Sequence, residues 1–186
     1  MGYNRKKQPE QVQRALLECA AKIAADHGIA GVTVQAVADA AGVTKGGLFH
    51  HFSSKQVLLE GMVDALLDKL DAEIDSSMAE DPAPYGSFTR AYVKSVFVGK
   101  AFGFETPWST LFMAVISDHD LRHRWIDWFN ERLRRHDVTD GHPSLQIVRL
   151  AADGAWLSYV TADSKSGSAE LQALKDQLVA MTEAPR

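Results

Sequence analysis

The chain has one cysteine, Cys19, in 186 residues. That excludes an intrachain disulfide framework and a cysteine-built metal cage, and within a helical apolar pattern the thiol reads as a core residue. Long apolar runs are also missing. The longest are broken by Lys94, Lys100 and Glu105, well short of the roughly 18 residues a bilayer demands. No apolar segment of the secretory kind follows the polar start, so a cytoplasmic chain without a membrane partner is expected. Alternating strand patterns and internal repeats are absent. No nucleophile, base and orienting group stand at a readable spacing, and no glycine-rich phosphate loop follows a strand. An enzyme therefore has no specified chemistry here, and no cofactor is implied. Asp118, His119, Asp120 and His123 come nearest to a metal set, since two histidines four apart share a helix face. The sequence places no third ligand, and an aspartate there reads better as a helix cap.

Positive charge is scarce as well, with a net charge of −4. Its distribution says more than its sum. Residues 1–56 carry seven basic and four acidic residues, a balance of +3, and the remainder carries thirteen against twenty, a balance of −7. A basic head on an acidic body suits local phosphate binding. Arg5, Lys6 and Lys7 form either a basic arm along a nucleic-acid backbone or an ordinary loose terminus.

What is present is concentrated in residues 33–55. Val34, Val37, Ala38 and Ala41 make one buried stripe on a short helix. Thr33 is positioned to cap it. Gly42 follows, where a left-handed turn costs glycine little, and Val43 plugs the angle. Thr44 caps a second short helix opening with Lys45, Gly46 and Gly47, with Leu48 and Phe52 on one face. Ala36, Val37 and Ala40 read as structural. This is the plan of a helix-turn-helix. Each glycine costs a helix about 1 kcal/mol against alanine. Close approach of the backbone to a DNA groove is one compensation; a strained connector between core helices is the other reading. The neighbouring Thr, Lys and His side chains are donors suited to phosphates and base edges.

Gly42-Val43-Thr44-x-Gly46-x-Leu48-Phe49-x-His51-Phe52-x-x-Lys55 resembles the signature of the TetR family of bacterial one-component regulators, over roughly residues 10–60. The resemblance implies that Thr44 and Lys45 open the recognition helix in the major groove and that Gly46 lets the backbone approach. It implies phosphate contacts from His51 and Lys55, sequence reading from His50, and flanking backbone contacts from Thr33 and Gln35. Phe49 stands where the family usually has a tyrosine whose hydroxyl meets a phosphate; here only the ring remains. The resemblance also implies a near-palindromic double-stranded DNA operator and a small-molecule effector bound in the body.

Helical patterns are expected over Glu10–Asp26 and, after the helix-turn-helix, from Ser54 to about Ile74. The second would run from head to body as a rod able to transmit a tilt. Asp81–Gly86 is the clearest break. Further helices are expected over 88–98, 107–116, 118–136, 144–163 and 168–181. Gly99–Pro107 reads as broken. The fold expected is all-α with about nine helices, a head at 1–56 and an effector-binding, dimerising body at 57–186.

Ten of the sixteen aromatic residues fall within 88–129, Phe102 and Phe104 among them. Most can serve as core. Trp108, Phe112, Trp125 and Phe129 are the expected walls of a pocket for a largely apolar or aromatic ligand. The last two helices carry apolar stripes, Leu145, Val148, Ala152, Ala155 and Tyr159 on one and Leu171, Leu174, Leu178 and Met181 on the other, with small residues Ala151, Ala152, Gly154 and Ala155. They pack against a second copy as a four-helix interface, or only on their own body. A helix-turn-helix reading two half-sites favours the homodimer. The function expected is a homodimeric repressor released by its ligand; the alternative is an effector-independent architectural or protein-interaction factor anchored on DNA.

Overall fold

The computed structural model describes residues 7–99, 103, 106–162 and 168–184. Among them are ten helices and no strand: α1 (Lys7–Gly31), α2 (Val34–Ala40), α3 (Lys45–His51), α4 (Lys55–Ala79), α5 (Ser87–Val98), α6 (Pro107–Ser117), α7 (His119–Arg135), α8 (Asp137–Asp140), α9 (Pro143–Thr161) and α10 (Ser168–Ala180). The tenth is α8, a single turn between the expected helices over 118–136 and 144–163. The basic arm at Arg5 and Lys6, Phe102, Phe104 and residues 163–167 lie outside the described residues.

Contacts divide the chain into two compact units. The first comprises the described residues up to Leu66 with Leu111–Trp125; the second comprises Leu67–Thr110 with Ile126–Arg186. The contact division thus exchanges stretches of α4, α6 and α7 that a simple cut after residue 56 keeps together.

In the first unit, Leu16, Ala20 and Ala24 of α1, Val37 and Ala38 of α2, and Leu48 and Phe52 are buried with Leu58 and Met62 of α4. Phe52 and Leu17 press so closely on Gly61 that a Cβ there would stand 3.1 Å from the Phe52 ring. The α1 helix is interrupted at Gly28 (φ 71°), where the sequence ends it, and a further turn completes it at Gly31. Two readings of single residues change: Ala40 is exposed, and Cys19 is half-buried.

In the second unit, α5 is buried along nearly its whole length and packs on α8, α9 and α10. Such a helix must satisfy its terminal N–H groups internally. Asp140 does this from 52 positions away. Its carboxylate accepts from the Phe88 and Thr89 N–H groups at 3.4 and 2.8 Å and from the Thr89 hydroxyl at 2.6 Å. Arg90 ties the start of α5 to both neighbouring ends, donating to Asp81 at 2.7 and 3.1 Å and to the Thr182 carbonyl at 3.3 Å. Arg132, 1% exposed, is not the exposed dipole partner its position suggests: it donates to Asp75 at 2.7 Å and stands 5.5 Å from the Phe88 ring.

Candidate nucleic-acid interface

Two threonines set both helices of the head. The Thr33 hydroxyl accepts from the Ala36 N–H at 3.1 Å, and the Thr44 hydroxyl accepts from the Gly47 N–H at 3.0 Å. A capping hydroxyl spends one lone pair and keeps its proton. Each threonine can therefore hold its helix and still donate to a phosphate. Between the helices Gly42 takes φ 66° and its N–H donates to the Asp39 carbonyl at 3.2 Å. An L-residue there would be strained.

The α3 helix has a clear inside and outside. Leu48 is wholly buried, whereas Lys45, Gly46, Phe49 and His50 are exposed together with the Thr44 cap. His51 is half-buried, with its ring 5.6 Å from that of His50 in an edge contact. The two glycines separate cleanly. A Cβ on Gly47 would stand 3.3 Å from the Thr44 hydroxyl, so the cap itself explains that glycine. A Cβ on Gly46 would meet nothing closer than 3.9 Å, so its packing does not require glycine.

Thr33 and Gln35 are exposed at the start of α2, and Gln35 donates to Asp39 at 2.8 Å, keeping one N–H and its carbonyl free. Lys55 opens α4 beside Ser54, whose hydroxyl caps that helix by accepting from Val57 at 3.1 Å. The sequence motif thus resolves into exposed or half-exposed donors at the first turns of α2, α3 and α4.

The four expected ligand walls do not share one compact unit. Phe112 and Trp125 belong to the first and meet edge to face at 4.6 Å between centroids; Trp108 and Phe129 belong to the second. Phe129 lies 5.4 Å from the Tyr92 ring and lines a cleft of about 260 Å³. That cleft is also lined by Leu133, Asp137, Gln146, Arg149, Leu150 and Asp153, none of them singled out from sequence. The available signal was a charged residue beside two members of a buried α9 stripe: Arg149 follows Val148, and Asp153 follows Ala152. Burial pushes the Asp153 carboxyl above its usual range and the Tyr92 hydroxyl well above its own; the two are joined by a 2.5 Å hydrogen bond.

His119 and His123 do meet, edge to face at 4.6 Å between centroids, but Asp118 caps α7 by accepting from the Asp120 and Leu121 N–H groups. Among the described residues no group of three ligating side chains converges. Nor is any helix there long and apolar enough to cross a membrane.

The α9 stripe read from sequence faces inward: Leu145, Val148, Ala152 and Tyr159 are buried. On α9 a different row is exposed, Ile147, Leu150 and Leu157, whereas of the α10 stripe read from sequence Leu178 is buried and Leu174 and Met181 are exposed.

Known proteins bear on this arrangement. Residues 16–62 match "Bacterial regulatory proteins, tetR family", and residues 86–183 match "Tetracyclin repressor-like, C-terminal domain". The HTH-type transcriptional repressor KstR2 of Mycolicibacterium smegmatis is 33% identical over 88 residues, 47% of this chain and 43% of that protein. The HTH-type transcriptional regulator TtgR of Pseudomonas putida is 29% identical over 76 residues, 41% of this chain and 36% of that protein. The chain thus spans less than half the length of these curated relatives. Among solved structures, a TetR transcription regulator from Haloarcula marismortui superposes with TM-score 0.72 at 17% identity, covering 93% of this chain and 97% of that one. The multidrug-binding protein EbrR in complex with malachite green superposes with TM-score 0.71 at 16% identity, covering 92% and 98%. At such identities the likeness carries the fold alone. The match over 86–183 takes in more than half of the chain and joins the separately matched head, so the chain belongs to the TetR family of bacterial regulatory proteins.

Proposed function

We propose that the protein is a sequence-specific transcription regulator and not an enzyme, a homodimeric repressor that leaves its operator when a small, largely apolar or aromatic ligand binds. The observation that carries this reading is α3, a threonine-capped helix anchored by buried Leu48 whose outer face offers Lys45, Gly46, Phe49 and His50. Lys45 and His50 read base edges; Thr33, Gln35, Thr44, His51 and Lys55 hold phosphates; Gly46 brings the backbone close. The head is residues 1–56 and the body 57–186.

Two heads require two chains. The exposed row Ile147, Leu150 and Leu157, with Leu174 and Met181, supports a four-helix interface between copies of α9 and α10. Gly154 lies among these residues, and a Cβ there would meet nothing within 4 Å, so its own fold does not demand a glycine. Trp108, Phe112, Trp125 and Phe129 are the proposed effector contacts. Release follows if the ligand prefers the conformation that binds DNA poorly.

A salt-titrated mobility shift on the DNA upstream of the protein's own gene, beside scrambled DNA, tests the regulator. Sequence-dependent binding by two heads per site is expected. Equal weak binding to both DNAs would favour an architectural DNA anchor. Tryptophan fluorescence titrated with apolar and dye-like compounds, malachite green included, tests the effector; silence across the panel would remove it.

A further inference from the structure

The cleft in the second unit has a chemistry of its own. Arg149 lines it and is 6% exposed, yet among the described residues no carboxylate oxygen lies within 4.0 Å of its guanidinium. Its Nη1 donates to the Thr89 hydroxyl at 2.6 Å and to the Asp140 carbonyl at 3.2 Å. Its Nε and Nη2 make no hydrogen bond among the described residues. Asp140 and Asp153 act on it as countercharges without touching it, and its spare donors are not sealed from solvent, so they suit an anionic acceptor in the cleft. One helical turn on, Asp153 lines the same cleft. Its Oδ1 accepts the Tyr92 hydroxyl proton, and its Oδ2 has no partner among the described residues.

Neither a simple anion nor a simple cation fits. An anion would meet Asp137, Asp140 and Asp153 around one arginine, and a bare cation would meet that arginine. A ligand carrying both charges meets each with its opposite. Phe129 and Leu133 supply an apolar wall. The cleft, about 260 Å³, has room for a small organic molecule.

We propose that this cleft binds a free amino acid with an apolar side chain, its carboxylate on Arg149, its ammonium on Asp153 and its side chain against Phe129 and Leu133. This site stands apart from the proposed DNA contacts and does not depend on them; it shares Phe129 with the proposed effector contacts, but not their other three aromatics.

The test uses the full chain. The twenty common L-amino acids are screened by thermal shift, and the best binder is titrated calorimetrically beside its deaminated and decarboxylated analogues; for leucine these are isocaproate and isoamylamine. Saturable binding is expected, with each analogue weaker by at least about tenfold, the loss of one charge-assisted contact. Arg149 also holds Thr89 and Asp140, so R149M can fail through folding. D153N avoids this, because the asparagine carbonyl still accepts from Tyr92. It is expected to weaken the amino acid by about tenfold while leaving the deaminated analogue unweakened. Binding by none of the twenty, equal binding by an analogue, or an unchanged titration with D153N would each overturn the proposal.

Discussion

Lys55 begins α4 with a positive charge at the positive end of a helix. The fold gains nothing from that placement, which makes the residue informative to remove. K55A is expected to leave the melting temperature unchanged or slightly raised. It should weaken DNA binding almost evenly across sequences and lower the salt slope by about 1, since one phosphate contact is lost. Mobility shifts at several salt concentrations check this. Uneven losses among sequences would instead make Lys55 a base reader. At this scale the sequence was legible where a residue acts on its own neighbours. Thr33, Thr44, Ser54 and Asp118 all cap the helices that follow them, because a cap reaches only three positions along the chain. Gly46 and Gly47 look alike in the sequence. Only their different distances from the Thr44 hydroxyl separate the one a cap explains from the one it does not.

Among elements, α5 depends on distant residues. Asp140 satisfies its first turn, so D140A strands the Thr89 N–H and removes a countercharge near Arg149. A loss of about 3 kcal/mol in urea unfolding at an unchanged slope is expected. Loss below about 1 kcal/mol would mean water replaces the carboxylate. A second dependence is on pH. The hydrogen bond from Arg90 holds the Asp81 carboxyl below its usual range, against the opposing effect of burial. A lowered folded pKa gives stability above the unfolded value near 3.9 that is lost as pH falls through the folded one. D81N should therefore be less stable than the parent at pH 7 and converge with it in acid. Asp153 has the opposite sign, because burial raises its pKa: the parent loses stability as pH rises through that value. D153N should gain over the parent at neutral pH and converge below about 3.9. Urea midpoints at neutral and acid pH read both. Element boundaries were legible from periodicity and from Gly28, Gly42 and Asp81–Gly86. The turn α8 was not, because four residues carry no period.

For the whole molecule the proposed dimer is tested on the exposed face of α9. Ile147 and Leu157 are 59% and 47% exposed, so a carboxylate at either costs the isolated chain little. Buried in an interface without a partner, it costs several kcal/mol. I147E and L157E are expected to raise the dimer dissociation constant at least about 100-fold while leaving the helical content intact. Sedimentation at several concentrations checks this, and operator affinity should fall with the dimer. Unchanged mass would remove α9 from the interface.

The sequence alone determined the all-α class, most helix starts and the helix-turn-helix, because caps, periods and turn glycines act over a few residues and leave their trace in order along the chain; α1 and α4 run on to Gly31 and Ala79, past the expected Asp26 and Ile74. Tertiary structure decided which apolar stripe of α9 is core and which is surface. Both have helical spacing, and only the packing of α5 against one of them distinguishes the two. It also decided that Arg132 is buried, that Asp140 caps a helix 52 positions away, and that Arg149 and Asp153 share a cleft. Those contacts join residues with no fixed separation, so no local pattern encodes them.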